Sequence, residues 1–190
     1  MQQDIENYFS EISELLQKSS SLINNIIKIT STIINALDNN HKIILFGNGG
    51  SAADAQHVAA EFLGKFQSQR KSLPAISLTD NLCTLTSIAN DYSYDDVFSR
   101  QCDSLVSSGD VVLGISTSGN SKNVINGLKT AKHKGAFTIG ILGNDGGQIS
   151  TIVDSSIIVN SLSTPHIQEI HRIILHTICM LVEKKYGTKT

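Results

Sequence analysis

The sequence predicts an α/β fold, a single doubly wound parallel sheet of five strands flanked by helices, with a long helix ahead of it. Two observations lead there. From residue 42 onward, short continuous apolar runs alternate with stretches of helical spacing. Strands that are apolar throughout and separated by helices belong to a parallel sheet covered on both faces. Before residue 40, apolar side chains recur at Ile5, Tyr8, Phe9, Ile12, Leu15, Leu16, Leu22, Ile23, Ile26, Ile27, Ile33, Ile34 and Leu37, which is the period of an amphipathic helix.

In chain order, the first helical pattern ends at Asn39-Asn40. Its apolar stripe is longer than a small sheet can hide, and a bare stripe of that size invites aggregation. Residues 1–39 are therefore expected as an extension packed partly on the domain and partly on a neighbouring subunit. Residues 42–46 read as the first strand, followed by a helix from 51 to about 66. Residues 74–78 form the second strand, with helical material around 81–88 and 95–106. Residues 110–115 form the third, followed by a helix over 121–134; 137–142 form the fourth and 156–159 the fifth. A final helix is expected from about 165 to 185. With no internal repeat, linker or low-complexity tract, residues 1–190 read as one domain.

Composition narrows the function classes. Hydrophobic content is 40% and the net charge is −2, with no long block of either sign. A dedicated nucleic-acid binder would usually carry a basic stripe, so direct nucleic-acid binding is not expected. No segment approaches the roughly 18 apolar residues of a membrane span, and Met1-Gln2-Gln3-Asp4 has neither the basic region nor the apolar run of a secretory signal. Cys83, Cys102 and Cys179 are odd in number and widely spaced, which fits small core residues in a reducing cytoplasm.

In an open parallel sheet, ligands collect beyond the carboxyl ends of the strands, and two turns there carry polar chemistry. The first is Gly47-Asn48-Gly49-Gly50-Ser51. Glycine lets the backbone approach a ligand, and the helix beginning near Ser51 aims its free N–H groups at that space. A plain strand-to-helix turn with Ser51 as N-cap explains the same residues. The string lacks the full dinucleotide order and the P-loop lysine, which disfavours those sites. The second turn is Ser116-Thr117-Ser118-Gly119-Asn120-Ser121. A capped turn accounts for one or two hydroxyls but not four, whereas hydroxyls and free N–H groups together satisfy the oxygens of a phosphate.

Side chains for acid–base or metal chemistry lie elsewhere. His57 and Glu61 stand four apart on one helix and so share a face, suited to one divalent metal or to proton transfer. The last helix adds Gln168, Glu169, His171 and His176 within nine residues. Asn90-Asp91 reads as a polar loop able to bind sugar hydroxyls or simply to turn.

Together these strings resemble the sugar isomerase (SIS) domain family, and within it the phosphoheptose isomerases. The matching pieces are residues 47–57 (Gly-Asn-Gly-Gly-Ser through His57), Glu61, Asn90-Asp91, residues 96–100, residues 114–121 and Ile167-Gln168-Glu169-Ile170-His171. They run in the family's order over essentially the whole chain. The resemblance implies a flavodoxin-like sheet and an aldose–ketose isomerisation of D-sedoheptulose 7-phosphate to D-glycero-D-manno-heptose 7-phosphate, feeding surface polysaccharide. It implies that Ser116, Thr117, Ser118 and Ser121 hold the phosphate. Asn48, Gly49, Gly50, Ser51, Asn90, Asp91 and Gln168 would line the sugar, and Glu61 and His176 would be the acid–base residues. It further implies one zinc ion per subunit at His57, Glu61, Gln168 and His176, and a cytoplasmic homotetramer with active sites where subunits meet. Gln168 and His176 are separated by about 12 Å of helical rise, so one metal would have to sit between them with both side chains extended. Lys65 and Pro165-His166 depart from the family's pattern, with substrate contacts at the far end of the sugar as the expected consequence. Rival readings are a non-enzymatic SIS adaptor binding the replication initiator DnaA, and a sensor or isomerase of another sugar phosphate. Glu61 and His176 favour the enzyme.

Overall fold

The computed structural model describes residues 1–187. Five strands form one parallel sheet: β1 (Ile43–Gly47), β2 (Ala75–Ser77), β3 (Val111–Ser116), β4 (Phe137–Gly143) and β5 (Ser155–Val159). Their order is β2-β1-β3-β4-β5, and every neighbouring pair runs parallel. The helices are α1 (Gln2–Lys18), α2 (Ile23–Asp38), α3 (Gly50–Leu63), α4 (Leu82–Asp91), α5 (Ser99–Leu105), α6 (Lys122–His133), α7 (Gly147–Ile152) and α8 (Thr164–Tyr186).

The expected sheet and its helical layers are therefore present. Three details differ from the sequence reading. The N-terminal helical stretch passes through a 3-10 turn at Ser19–Leu22, where three consecutive serines lower helix propensity. Residues 95–106 split into a 3-10 turn (Tyr94–Asp96) and α5. The one-and-a-half-turn α7 was not foreseen, being too short to show a period.

Side chains along β1 alternate between two cores, as the two-residue strand repeat requires. Ile43 and Leu45 join α2, α3 and α8 on one face; Ile44 and Phe46 join α5, α6 and α7 on the other. Phe46 stacks on Phe98 with ring centroids 4.8 Å apart. Cys102 and Cys179 are buried as expected, but Cys83 is exposed, because it sits on the solvent side of the first turn of α4.

The helices differ sharply in burial. Helix α8 has ten buried residues, whereas α1 has none. Ile5, Phe9 and Leu16 on α1 and Ile23 and Ile27 on α2 are all exposed. His166 anchors α1 to the body: its ring meets Tyr8 edge-on at 4.8 Å, and its Nε2 lies 3.7 Å from Glu11. Pro165 occupies the first turn of α8, where a missing N–H costs nothing. The Pro165-His166 departure thus serves helix start and α1 docking.

Candidate active site

The sheet order reverses direction between β1 and β3, and such a switch point opens a crevice at the strand ends. Both polar turns lie there. The β3–α6 turn gathers Ser116 Oγ within 3.4 Å of Ser118 Oγ and 3.1 Å of Ser121 Oγ. Ser121 stands at the N-cap position of α6, yet no side chain caps that helix. Simple capping therefore does not explain the serines. Gly119 has φ +65°, and a Cβ there would overlap the Gly146 carbonyl. The turn is braced from behind by the β4–α7 loop and the first turn of α7: Asn144 Nδ2 donates to Thr117 O at 3.2 Å, and Gln148 N donates to Asn120 Oδ1 at 3.0 Å. The adjacent Lys122 ammonium is engaged by Asp95 at 2.9 Å, a hydrogen bond and charge that raise its pKa.

At the β1–α3 turn the helix starts at Gly50, with Gly49 at the cap position and no side-chain cap. Ser51 is thus inside the helix and buried, not its N-cap. Asn48 forms a reciprocal amide pair with Asn123, each bond 2.9 Å, and also accepts from Tyr94 Oη at 2.9 Å. The two turns are thereby stitched together, since Asn123 belongs to α6.

Asn90 and Asp91 form the last turn of α4 rather than a loop. Asn90 Nδ2 donates to Asp91 Oδ1 at 2.8 Å, and Asp91 borders a cleft of about 600 Å³ beside β2, shared with Asn81, Tyr92 and Arg100. The link from this segment to the glycine turn runs through Tyr94.

The remaining residues meet along a seam between α3 and α8, which lie side by side in parallel register. Gln168 Nε2 lies so close to Gly50 that a Cβ there would overlap it. One turn on, Arg172 donates through Nε (3.0 Å) and Nη2 (2.5 Å) to Oδ1 of buried Asp54. One further turn on, His57 Nε2 and His176 Nε2 are 2.8 Å apart, with Glu61 Oε1 3.6 Å from His57 Nε2. The pairing offset stays at 118 or 119 positions throughout. The structure thus brings His57, Glu61 and His176 together, and places Gln168 two turns away at the glycine turn with the Arg172–Asp54 pair between.

Two imidazoles and a carboxylate are donors of the kind zinc takes. As they stand, the two Nε2 atoms are at hydrogen-bond distance, whereas nitrogens sharing a tetrahedral zinc at about 2.0–2.1 Å would be roughly 3.3 Å apart. Among the described residues, no group of three or more His, Cys, Asp or Glu is arranged as a metal cluster. The donor chemistry fits the metal; the spacing is that of a His–His hydrogen bond.

The second histidine of α8 has a different place. His171 is fully buried on the sheet side and donates from Nε2 to Leu142 O at 2.9 Å. Its Nδ1 is buried without a partner, and burial lowers its pKa despite the bond to Leu142. His171 is a core residue of the sheet side. Sequence reading missed Asn123, Tyr94, Asp54, Arg172 and the buried Arg70–Glu183 pair. Only Glu183 left a trace, lying seven residues after His176 and hence on the same helix face.

Comparison with known proteins gives a family for this arrangement. The SIS domain family model matches residues 7–143. A phosphoheptose isomerase of Aliarcobacter butzleri is 46% identical over 184 residues, covering 97% of this chain and 92% of that protein. One from a Nitratiruptor species is 52% identical over 153 residues, 80% of this chain and 82% of that one. The solved phosphoheptose isomerase of Neisseria gonorrhoeae superposes with a TM-score of 0.92 at 38% identity, over 96% of this chain and 98% of that chain.

Proposed function

The chain belongs to the phosphoheptose isomerases of the SIS-domain family and is a sugar-phosphate isomerase; we propose that it converts D-sedoheptulose 7-phosphate to D-glycero-D-manno-heptose 7-phosphate. The observation that carries this reading is the meeting of Glu61, His57 and His176 on the α3–α8 seam. The same helix α3 begins beside the hydroxyl turn at the switch point of the sheet. From Gly50 to His57 the helix rises about 10 Å, comparable with the reach from the phosphate to the carbonyl end of an extended heptose phosphate.

The roles follow from the chemistry of moving a proton between C1 and C2 through an enediol, which needs a base at carbon and proton handling at both oxygens. Glu61 takes the proton from C1 of the ketose and returns it to C2. His176 passes the hydroxyl proton between O1 and O2. Ser116, Thr117, Ser118 and Ser121, with the free N–H groups starting α6, hold the phosphate. Asn48, Gly49, Gly50, Ser51, Asn90, Asp91 and Gln168 line the sugar. Zinc belongs to this reading at His57, Glu61 and His176, while Gln168, two turns away beside Gly50, is left to the sugar. Bound there, it supplies Lewis-acid polarisation of the carbonyl oxygen.

The bare apolar positions on α1 and α2 support a homo-oligomer, a tetramer in this reading, with the sites completed between subunits. Helix α1 has no buried residue, and most helical stability in proteins comes from packing of an amphipathic face, which a partner surface would supply here. Among the described residues no helix is long and apolar enough to cross a membrane, and the unpaired cysteines suit the cytoplasm. There the product would enter heptose synthesis for surface polysaccharide.

Turnover of sedoheptulose 7-phosphate by purified protein, with and without a chelator, tests the reading. The expected result is formation of the aldose, lost on chelation and restored by zinc. Turnover indifferent to chelation would retain the isomerase and remove the metal. No turnover from folded, zinc-supplied protein would replace this substrate with another sugar phosphate, or the enzyme with an adaptor.

A further inference from the structure

Beyond His176, α8 carries a buried carboxylate that the reaction does not use. Glu183 Oε1 accepts from Phe66 N at 2.8 Å, and its Oε2 accepts from Gln67 N at 2.8 Å and Ser68 N at 2.9 Å. Arg70 Nε lies 3.5 Å from Glu183 Oε1, and the two side chains are 2% and 6% exposed. The other end of Arg70 grips the C-terminus of α3. Its Nη1 donates to Phe62 O and Lys71 O, each at 2.9 Å, and its Nη2 donates to Glu61 O. Phe66, whose N–H Glu183 holds, sets its ring 5.6 Å from the ring of His176.

We infer that Arg70 and Glu183 are positioning residues that fix Glu61 and His176 relative to one another. This rests on the isomerase reading for its consequence in turnover, but not for its geometry. Glu61 sits in the last turn of α3, where helices fray and their final carbonyls lack intrahelical partners. Arg70 satisfies two of those carbonyls, one of them Glu61's own. The Phe66 ring reaches His176 through the same carboxylate. Both members of the acid–base pair are thus referred to one buried ion pair. Burying charge is a poor route to stability alone, since a well-packed apolar pair often does as well. What the ion pair adds is one defined arrangement of the end of α3 against α8. The hydroxyl turn lies on β3 and α6 and shares none of these bonds, so substrate affinity should be left alone.

The experiment compares R70K and E183Q with the wild-type protein, measuring kcat and KM, together with the imidazole nitrogen spectra of His57 and His176 in histidine-labelled protein. Folding is checked by circular dichroism. Displacement of reacting groups by about 1 Å costs on the order of 100-fold, so kcat should fall by roughly that factor while KM stays near the wild-type value. The His57 and His176 imidazole signals should change as well. Wild-type kcat per folded site with unchanged imidazole spectra would overturn the inference. If E183Q does not fold, R70K, which keeps the charge and loses the fork, decides by the same readouts. If the wild-type protein itself does not turn over, the isomerase reading fails by itself. The imidazole spectra still decide positioning, with altered signals in the variants supporting it and wild-type signals refuting it.

Discussion

The hydroxyl turn after β3 and the seam between α3 and α8 are built by opposite strategies. The turn draws its groups from six consecutive residues, and its shape follows from a strand end, a left-handed glycine and a helix start. The seam joins residues 118 or 119 positions apart, and its geometry depends on how two helices slide against each other. A local turn is rigid because few torsions define it, and it suits a task common to many sugar phosphates. A long-range seam is adjustable at every helical turn. It carries three successive devices here: Gln168 at Gly50, Arg172 on Asp54, and the histidine pair with Glu61. Binding is therefore expected to reside in the turn and chemistry in the seam.

The largest test of that division is Glu61→Gln. General acid–base groups contribute typically 10²–10⁴-fold, so kcat for sedoheptulose 7-phosphate should fall by about that factor, with the folded state and KM little changed. Full activity would remove Glu61 as the base. An intermediate effect is expected at the turn. A hydrogen bond to a charged group is worth about 1.5–3 kcal/mol, so Ser121→Ala should raise KM by roughly 10- to 100-fold and leave kcat nearly intact in steady-state assays. A loss confined to kcat would reverse the assignment of roles.

The smallest effect concerns acid. Burial works to raise the pKa of Glu183, but the backbone donors Ser68, Gln67 and Phe66, helped by Arg70, lower it below its ordinary value of 4.5. Because the folded-state value is depressed, the stability from this carboxylate is present in full above pH 4.5 and is lost as pH falls through the folded value. Thermal scans of the wild-type protein should show Tm dropping below about pH 4.5, with a shallower drop in Glu183→Gln. Equal slopes in the two proteins would mean that other carboxylates dominate. The serine hydroxyls do not titrate in this range, so acid distinguishes the seam from the turn.

Much of this molecule was legible before any coordinates. The central strands β1 and β3 are apolar nearly throughout because both faces of the sheet are covered there, and a residue such as Ile43 or Ile44 is buried whichever face it takes; the edge strands β2 and β5 carry serines and are half-buried in part. The Ser116-to-Ser121 turn was legible because its groups are adjacent in the chain. Short elements escaped: α7 and the break before α5 span too few residues for a period to register. The plain alternative of Ser51 as a cap does not hold, because the helix starts one residue earlier, at Gly50, with Gly49 at the cap position.

The seam was legible as residue types but not as an arrangement. The sequence alone determined that His171 and His176 share one helix; the packing of α8 decided that His171 faces the sheet and Leu142 while His176 faces α3 and His57. It likewise set Gln168 at Gly50, two turns from the histidine pair, and drew Arg70 and Glu183 from outside every motif into one buried contact. The physical reason is that strand burial and turn geometry are governed by neighbours within a few residues, whereas the register of two helices is set by the fit of their facing side chains. That fit exists only once the sheet beneath them has brought the helices together.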